Sequence, residues 1–289
     1  DHRLRIDPPT FDWQMRFLAR QRRVVSLTAL LDALDAGRPI APGTVVITFD
    51  GGYVDNLTVA APILARYALP ATLYLPTGYI RDAQTQWVDR LYTMFASRTR
   101  DTVTLDEGQN WNLADDAASA EAYAALCERL IITPRDRREA LLDDLAAQLR
   151  PDAQPPRLTM GWQQVRELVR EHPTFELGVH TVDHVDMTTL DAAQATAQLA
   201  DSMDELHRET GVTAAHFSYP YGRHSPMTRP IAAASGLRSA VASGSEYLLG
   251  PGCDVLAMAR IDAPACRTLF RFQTSGAYPA LPRKVLGRA

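Results

Sequence analysis

The sequence predicts an α/β fold built on a parallel sheet, and three observations carry that prediction. Apolar, β-branched runs alternate with amphipathic helical stretches along most of the 289 residues. Several of those runs stop at short segments dense in reactive side chains, the arrangement by which α/β enzymes present groups at the carboxyl ends of strands. Finally, 46% of the residues are hydrophobic and 22% charged, enough to bury a full core and to exclude a disordered chain.

The elements follow in order. Thr10 is placed to cap a helix carrying Phe11, Met15 and Leu18 on one side; Ser26 is placed to cap a second with Leu27, Leu30, Leu31 and Leu34, ended by Gly37. Both read as outer helices. Strand-like runs occupy 45–49, 71–77, 175–179, 215–219, 238–242 and 255–261, mostly separated by helical periodicity such as that over 190–209. A further helix begins at Ser225–Pro226 and closes at Gly236. Between 77 and 175 no strand-like run appears, which is too long for one crossover. There Pro134 starts a helix with Leu141, Leu142, Leu145 and Leu149 on one side, and Thr159 is placed to cap another carrying Trp162, Val165 and Leu168. The chain is expected to be a single domain, 1–289, with a helical insertion at about 80–172 lying over the active face and a linker at 151–156.

Composition narrows the function. A net charge of -4 makes no electrostatic case for nucleic acid, and Arg20, Arg22 and Arg23 read as a solvated helix end. Cys127, Cys253 and Cys266 match neither a zinc knuckle nor a disulfide framework and read as small apolar residues. No apolar run reaches the roughly 18 residues that a membrane span needs. The polar stretch DHRLRIDPPT has no apolar signal region, so the expectation is a cytoplasmic protein, with a processed exported form as the alternative.

The reactive segments are VVITFDGGYVDN at 45–56, GVHTVDH at 178–184 and FSYPYGR at 217–223. In the first, Asp50 stands where a strand meets a glycine turn. In the second, His180 and His184 are four apart, which on a helical turn aims two imidazoles at one point, as ligands of one metal require. Asp183 and Asp186 lie close enough to orient an imidazole or to face solvent. In the third, Pro220 fixes a turn that can hold the Tyr221 amide toward a site.

Together and in this order the segments resemble those of the polysaccharide deacetylase family, with its NodB homology domain. The resemblance runs from about Thr10 to Ala263 and is closest to bacterial members that carry a Trp-x-Asp-Arg segment, here Trp87-Val88-Asp89-Arg90. It implies a distorted (β/α) barrel of about seven parallel strands. It further implies a hydrolase of carbon–nitrogen (non-peptide) bonds that removes N- or O-acetyl groups from a polysaccharide or glycoconjugate sugar with a divalent metal, usually zinc. By the same resemblance Asp50 is the catalytic base, His180 and His184 are metal ligands, and the Tyr221 amide stabilises the oxyanion.

Three positions depart from the family pattern. Gly51 stands where the family has its ligand aspartate, which removes a bond and a negative charge from the metal site. Ser218 stands where an arginine usually orients the base. The late leucine-x-x-histidine motif is replaced by VLAMARI at 255–261, and neither His216 nor His224 can be assigned as its general acid. The sequence therefore leaves several readings open. They are a metal-assisted deacetylase with a third ligand such as Asp55, Asp183, Asp186 or a substrate group, or one in which Gly51 is an introduced change; a metal-independent amide hydrolase of the allantoinase-like type; and an impaired, carbohydrate-binding member. Trp87, Asp89, Arg90 and Trp162 are candidates to line a sugar cleft or to pack in the insertion.

Overall fold

The computed structural model describes residues 6–105, 108, 110–243 and 252–276. Helix α1 (Pro8–Gln21) precedes a short strand β1 (Arg23–Val24), helix α2 (Leu27–Asp35) and strands β2 (Thr44–Val45) and β3 (Thr48–Asp50). Next come α3 (Ala61–Arg66), β4 (Ala71–Leu75) and α4 (Thr77–Asp82). Helix α5 (Trp87–Ala96) is followed by β5 (Thr102–Thr104), β6 (Asn110–Asn112), α6 (Asp116–Ile132) and α7 (Arg135–Leu149). The chain then returns through α8 (Trp162–Glu171), β7 (Phe175–Val179), α9 (Ala192–Thr210), β8 (His216–Ser218), α10 (Thr228–Ala234), β9 (Ser239–Ala242), β10 (Met258–Ala259) and α11 (Arg267–Gln273).

Among the described residues six parallel strands form the main sheet in the order β10-β9-β8-β7-β4-β3, where the family resemblance implies about seven. The sheet curls into a half-barrel with its reactive residues at the carboxyl ends of the strands. One face packs Leu73, Leu75, Leu177, Val179, Phe217 and Ala240 against the surrounding helices. The other face carries Asp50 and its register partner Tyr74, which in turn pairs with Gly178. A side chain at Gly178 would meet the Tyr74 ring at 2.6 Å, so glycine there lets the tyrosine fill the sheet's interior.

Helix α2 is not an outer helix. Its Leu27, Leu30 and Leu31 pack with Tyr74, Val241 and Met258 on the inner face. The Glu176 carboxylate accepts from the Leu27 and Thr28 amides at its N-terminus, at 3.0 and 3.2 Å, a charge placed where the helix dipole favours it. Two caps also differ from expectation. Asp7, not Thr10, caps α1 by accepting from the Thr10 amide at 2.9 Å, because its position just before Pro8 leaves it extended. Gly161, not Thr159, precedes α8; Thr159 instead bridges to Tyr53.

Helices α5, α6 and α7 and the antiparallel pair β5–β6 enclose a second core, built on Trp87, Leu91, Leu126, Leu130, Leu142 and Leu145. This hairpin was not visible in the sequence, since each strand spans only three residues. Helix α8 packs with the barrel, where Trp162, Val165 and Leu168 join the main core. Just before it, residues 158–160 run against 52–54: Val54 N donates to the Leu158 carbonyl at 2.7 Å and Met160 N to that of Gly52 at 2.9 Å. The returning chain thus pins the loop that follows Asp50.

Candidate active site

Asp50 ends β3, and both of its carboxylate oxygens are held. Arg260 Nη1 donates to Oδ1 at 2.7 Å and Nη2 to Oδ2 at 2.6 Å, a bidentate pair. Ser218 Oγ donates to Oδ2 at 3.2 Å and itself accepts from Arg260 Nη2 at 3.0 Å. Burial pushes the carboxyl upward, but Arg260, then His180 and Ser218, outweigh it and hold Asp50 below the usual carboxylate range. The group is ionised at neutral pH, and its side chain remains 32% exposed, within reach of a water or substrate.

The histidine pair is assembled by a loop, not by the helical turn that the spacing suggested. Thr181 and His184 adopt positive φ of 63° and 49°, which folds the loop back so that the two rings lie 4.6 Å apart. His180 Nδ1 donates to the Ser218 carbonyl at 2.7 Å, which leaves the Nε2 lone pair facing Asp50 Oδ2 at 3.8 Å. Around His184, Trp87 Nε1 donates to Tyr221 Oη at 2.9 Å, and that oxygen lies 3.1 Å from both His184 Nδ1 and the His184 carbonyl. All three contacts are satisfied when Nδ1–H donates to the phenol oxygen and the phenol donates to the carbonyl, so this ring too keeps a bare Nε2. Burial lowers both imidazoles; for His184 the charges of His180 and Arg138 add to it, and the pair stays neutral.

Tyr221 itself has a positive φ of 58°. Gly222 and Arg223 donate their amides to the Tyr219 and Pro220 carbonyls, while among the described residues the Tyr221 amide has no backbone acceptor. Among the described residues, three of the six non-glycine positive-φ positions, Thr181, His184 and Tyr221, thus fall in this one site. Such strain persists only where surrounding contacts enforce it, and it clusters at functional positions.

The place of the family's third ligand is filled. Gly51 has φ of 96°, and a Cβ there would meet the Tyr53 ring at 2.7 Å and Gln86 Nε2 at 3.0 Å. Tyr53 is fixed by donating to Asp89 Oδ2 at 2.9 Å, and Gln86 by donating to the Gly51 carbonyl at 2.8 Å. The other candidate ligands are committed elsewhere. Asp183 binds Arg135 and Gln198; buried Asp186 accepts from Thr188 and Arg223; Asp55 is exposed beside Asn56. Among the described residues no group of three or more His, Cys, Asp or Glu is arranged to hold a metal. Two imidazoles without a carboxylate do not make a complete resident metal site.

The structure therefore brings together Asp50, His180, His184 and Tyr221, with Gly51 beside them, and leaves other candidates apart. His216 sits at the amino end of β8, bonded to Thr28 and Ser239, and His224 is exposed next to the Tyr219 ring. Trp87 is buried against Tyr221 and Trp162 lies in the main core, so neither offers a face to a sugar; Arg90 turns to Glu139 and Asp143. Sequence reasoning missed Arg260. It searched 255–261 for a histidine, although this apolar run ending in a charged residue at a strand end repeats the pattern of Asp50. Arg260, just past the end of β10, supplies the guanidinium on Asp50 that Ser218 lacks.

The fold is shared with solved deacetylases of low sequence similarity. A Streptococcus pyogenes deacetylase, PplD, is 19% identical with a TM-score of 0.60, over 93% of this chain and 87% of its own. IcaB from Ammonifex degensii is 18% identical with a TM-score of 0.58, over 96% and 90%. The BpsB deacetylase domain from Bordetella bronchiseptica is 19% identical with a TM-score of 0.54, over 89% and 83%. No curated protein matches the chain. The family is generally metal-dependent and acts on acetyl groups. Its profile, described as Polysaccharide deacetylase, matches residues 37–240, more than half of the chain, which belongs to the polysaccharide deacetylase family.

Proposed function

We propose that this protein hydrolyses an N- or O-acetyl group on a sugar of a polysaccharide or glycoconjugate. The observation that carries the reading is Asp50, ionised and locked by Arg260 and Ser218, with the bare Nε2 of His180 3.8 Å away. A water placed between them can donate one hydrogen to the Asp50 carboxylate and the other to an imidazole Nε2 while its oxygen lone pair attacks the acyl carbon. Asp50 takes the proton as the new carbon–oxygen bond forms, and the Tyr221 amide is the donor for the oxyanion. Because Arg260 keeps the Asp50 acid strong, the same carboxyl returns the proton readily to the leaving amine or alcohol as its bond to the acyl carbon breaks. Asp50→Asn is expected to lower acetate release from an N-acetylated glucosamine oligomer by about 10²–10⁴. An unchanged rate would move the chemistry elsewhere.

A divalent ion held by His180 and His184 alone would be held weakly, since the carboxylate that adds charge and a bond is absent. Protein grown with added zinc is expected to contain well under one zinc per chain by elemental analysis; full occupancy would reveal a further donor. The Tyr53 ring beside Gly51 also favours a second reading, a member that binds glycan without turnover. Saturable glycan binding by the wild-type protein with no acetate release would select it.

A further inference from the structure

Arg138 of α7 is fully buried, and no carboxylate pairs with it among the described residues. Its Nη2 donates to the Asp183 carbonyl at 3.0 Å, while Nε and Nη1 have no acceptor. The acids around it are spent: Asp183 binds Arg135 and Gln198, and Glu139 binds Arg90. The guanidinium lies 5.7 Å from the centre of the Trp87 ring, which tempers the charge but satisfies no N–H. An unpaired buried cation is among the costliest arrangements a fold retains. The Trp87 amide acts on the buried phenol oxygen of Tyr79, but among the described residues the phenol O–H has no acceptor, and the Arg138 charge acts on Tyr79, Tyr221 and His184 together. Donors without acceptors therefore gather behind the histidine pair, where Trp87 and Tyr221 link the insertion to His184.

The donor geometry selects the ligand. Nη2 carries two hydrogens, one taken by the Asp183 carbonyl. Whichever one that is, the other and its neighbour on Nη1 or Nε leave a two-donor edge, which matches a carboxylate. We propose that Arg138 and Tyr79 form a carboxylate site between the insertion and the histidine loop. It takes either the acetate that hydrolysis releases or the carboxylate of a sugar acid in the glycan. Only the acetate source rests on the deacetylase reading.

Binding of sodium acetate and of sodium glucuronate, titrated separately by calorimetry, tests this without any need for turnover. Saturable binding is expected for the wild type, weakened by about 10–100-fold in Arg138→Met, as for a lost hydrogen bond to a charged group, and less in Tyr79→Phe. Acetate alone binding assigns the site to the product; tighter glucuronate assigns it to a sugar acid. Equal affinity in both variants, or no saturable binding of either anion to the wild type, overturns the proposal. Should Arg138→Met fail to fold, Tyr79→Phe, which removes one oxygen, decides it. Catalytic failure would appear as no acetate release from the wild type, independently of these titrations.

Discussion

Arg260 shows how one side chain sets the character of another. A lysine could neutralise Asp50, but only a planar guanidinium can hold both oxygens and Ser218 at once. Arg260→Gln is expected to lower the hydrolytic rate by about 10–100-fold while glycan binding persists, and Arg260→Lys to recover little of it; steady-state kinetics beside a binding assay will show the split. Gly51 teaches a different lesson. Restoring the family aspartate by Gly51→Asp places a Cβ at φ of 96°, 2.7 Å from the Tyr53 ring. That change alone should cost about 1–3 kcal/mol in denaturant unfolding and add no metal. Gly51→Asp combined with Tyr53→Ala should raise zinc content, because the ring no longer occupies the ligand's place. If the single substitution binds zinc stoichiometrically, the ring is not the obstacle.

At the scale of elements, short strands deliver reactive groups and loops aim them. His180 is fixed in the sheet's continuation by donating its amide to the Leu75 carbonyl at 2.9 Å, whereas His184 reaches the site only because the loop turns back at Thr181. Helix ends are held more conventionally. Asp191 accepts from the Gln194 amide at 2.8 Å, with the Gln194 side chain returning to the Asp191 amide, a capping box on α9. Asp191→Ala should cost about 1 kcal/mol in denaturant unfolding. At α1 the Thr10 amide and hydroxyl hold Asp7 below its ordinary value. A carboxyl lowered on folding stabilises the protein above its unfolded pKa and loses that contribution as pH falls through the folded value. The difference in Tm between wild type and Asp7→Ala should therefore shrink in acid; a gap independent of pH would remove the cap from the account.

At the scale of the fold, the half-barrel formed by the described residues is open between β3 and β10, its two edge strands, and Arg260 spans that opening to Thr48 and Asp50. One residue therefore joins the two edges of the sheet and holds the Asp50 carboxylate. The insertion is tied to the same site through Trp87 and Tyr221, so its separate core is joined to His184. Leu142→Ala, at a fully buried position, should cost about 2–5 kcal/mol and disturb acetyl hydrolysis together with stability. An unaltered rate in a destabilised variant would show that the insertion does not position Tyr221.

The sequence by itself determined the α/β class and the reactive segments that follow strands at Asp50, His180 and Tyr221, because period, apolar runs and motif spacing are local properties, and its resemblance to the family marked Gly51 as the place of a missing carboxylate. Tertiary structure alone decided the rest. Arg260 lies 210 residues from Asp50, and no local pattern joins them. Nor does one reveal that α2 enters the sheet's inner face, that Tyr53 fills the ligand's place, or that Asp183 and Asp186 are already bonded. Those facts depend on which side chains meet across the fold, where packing and the need to satisfy buried charges decide.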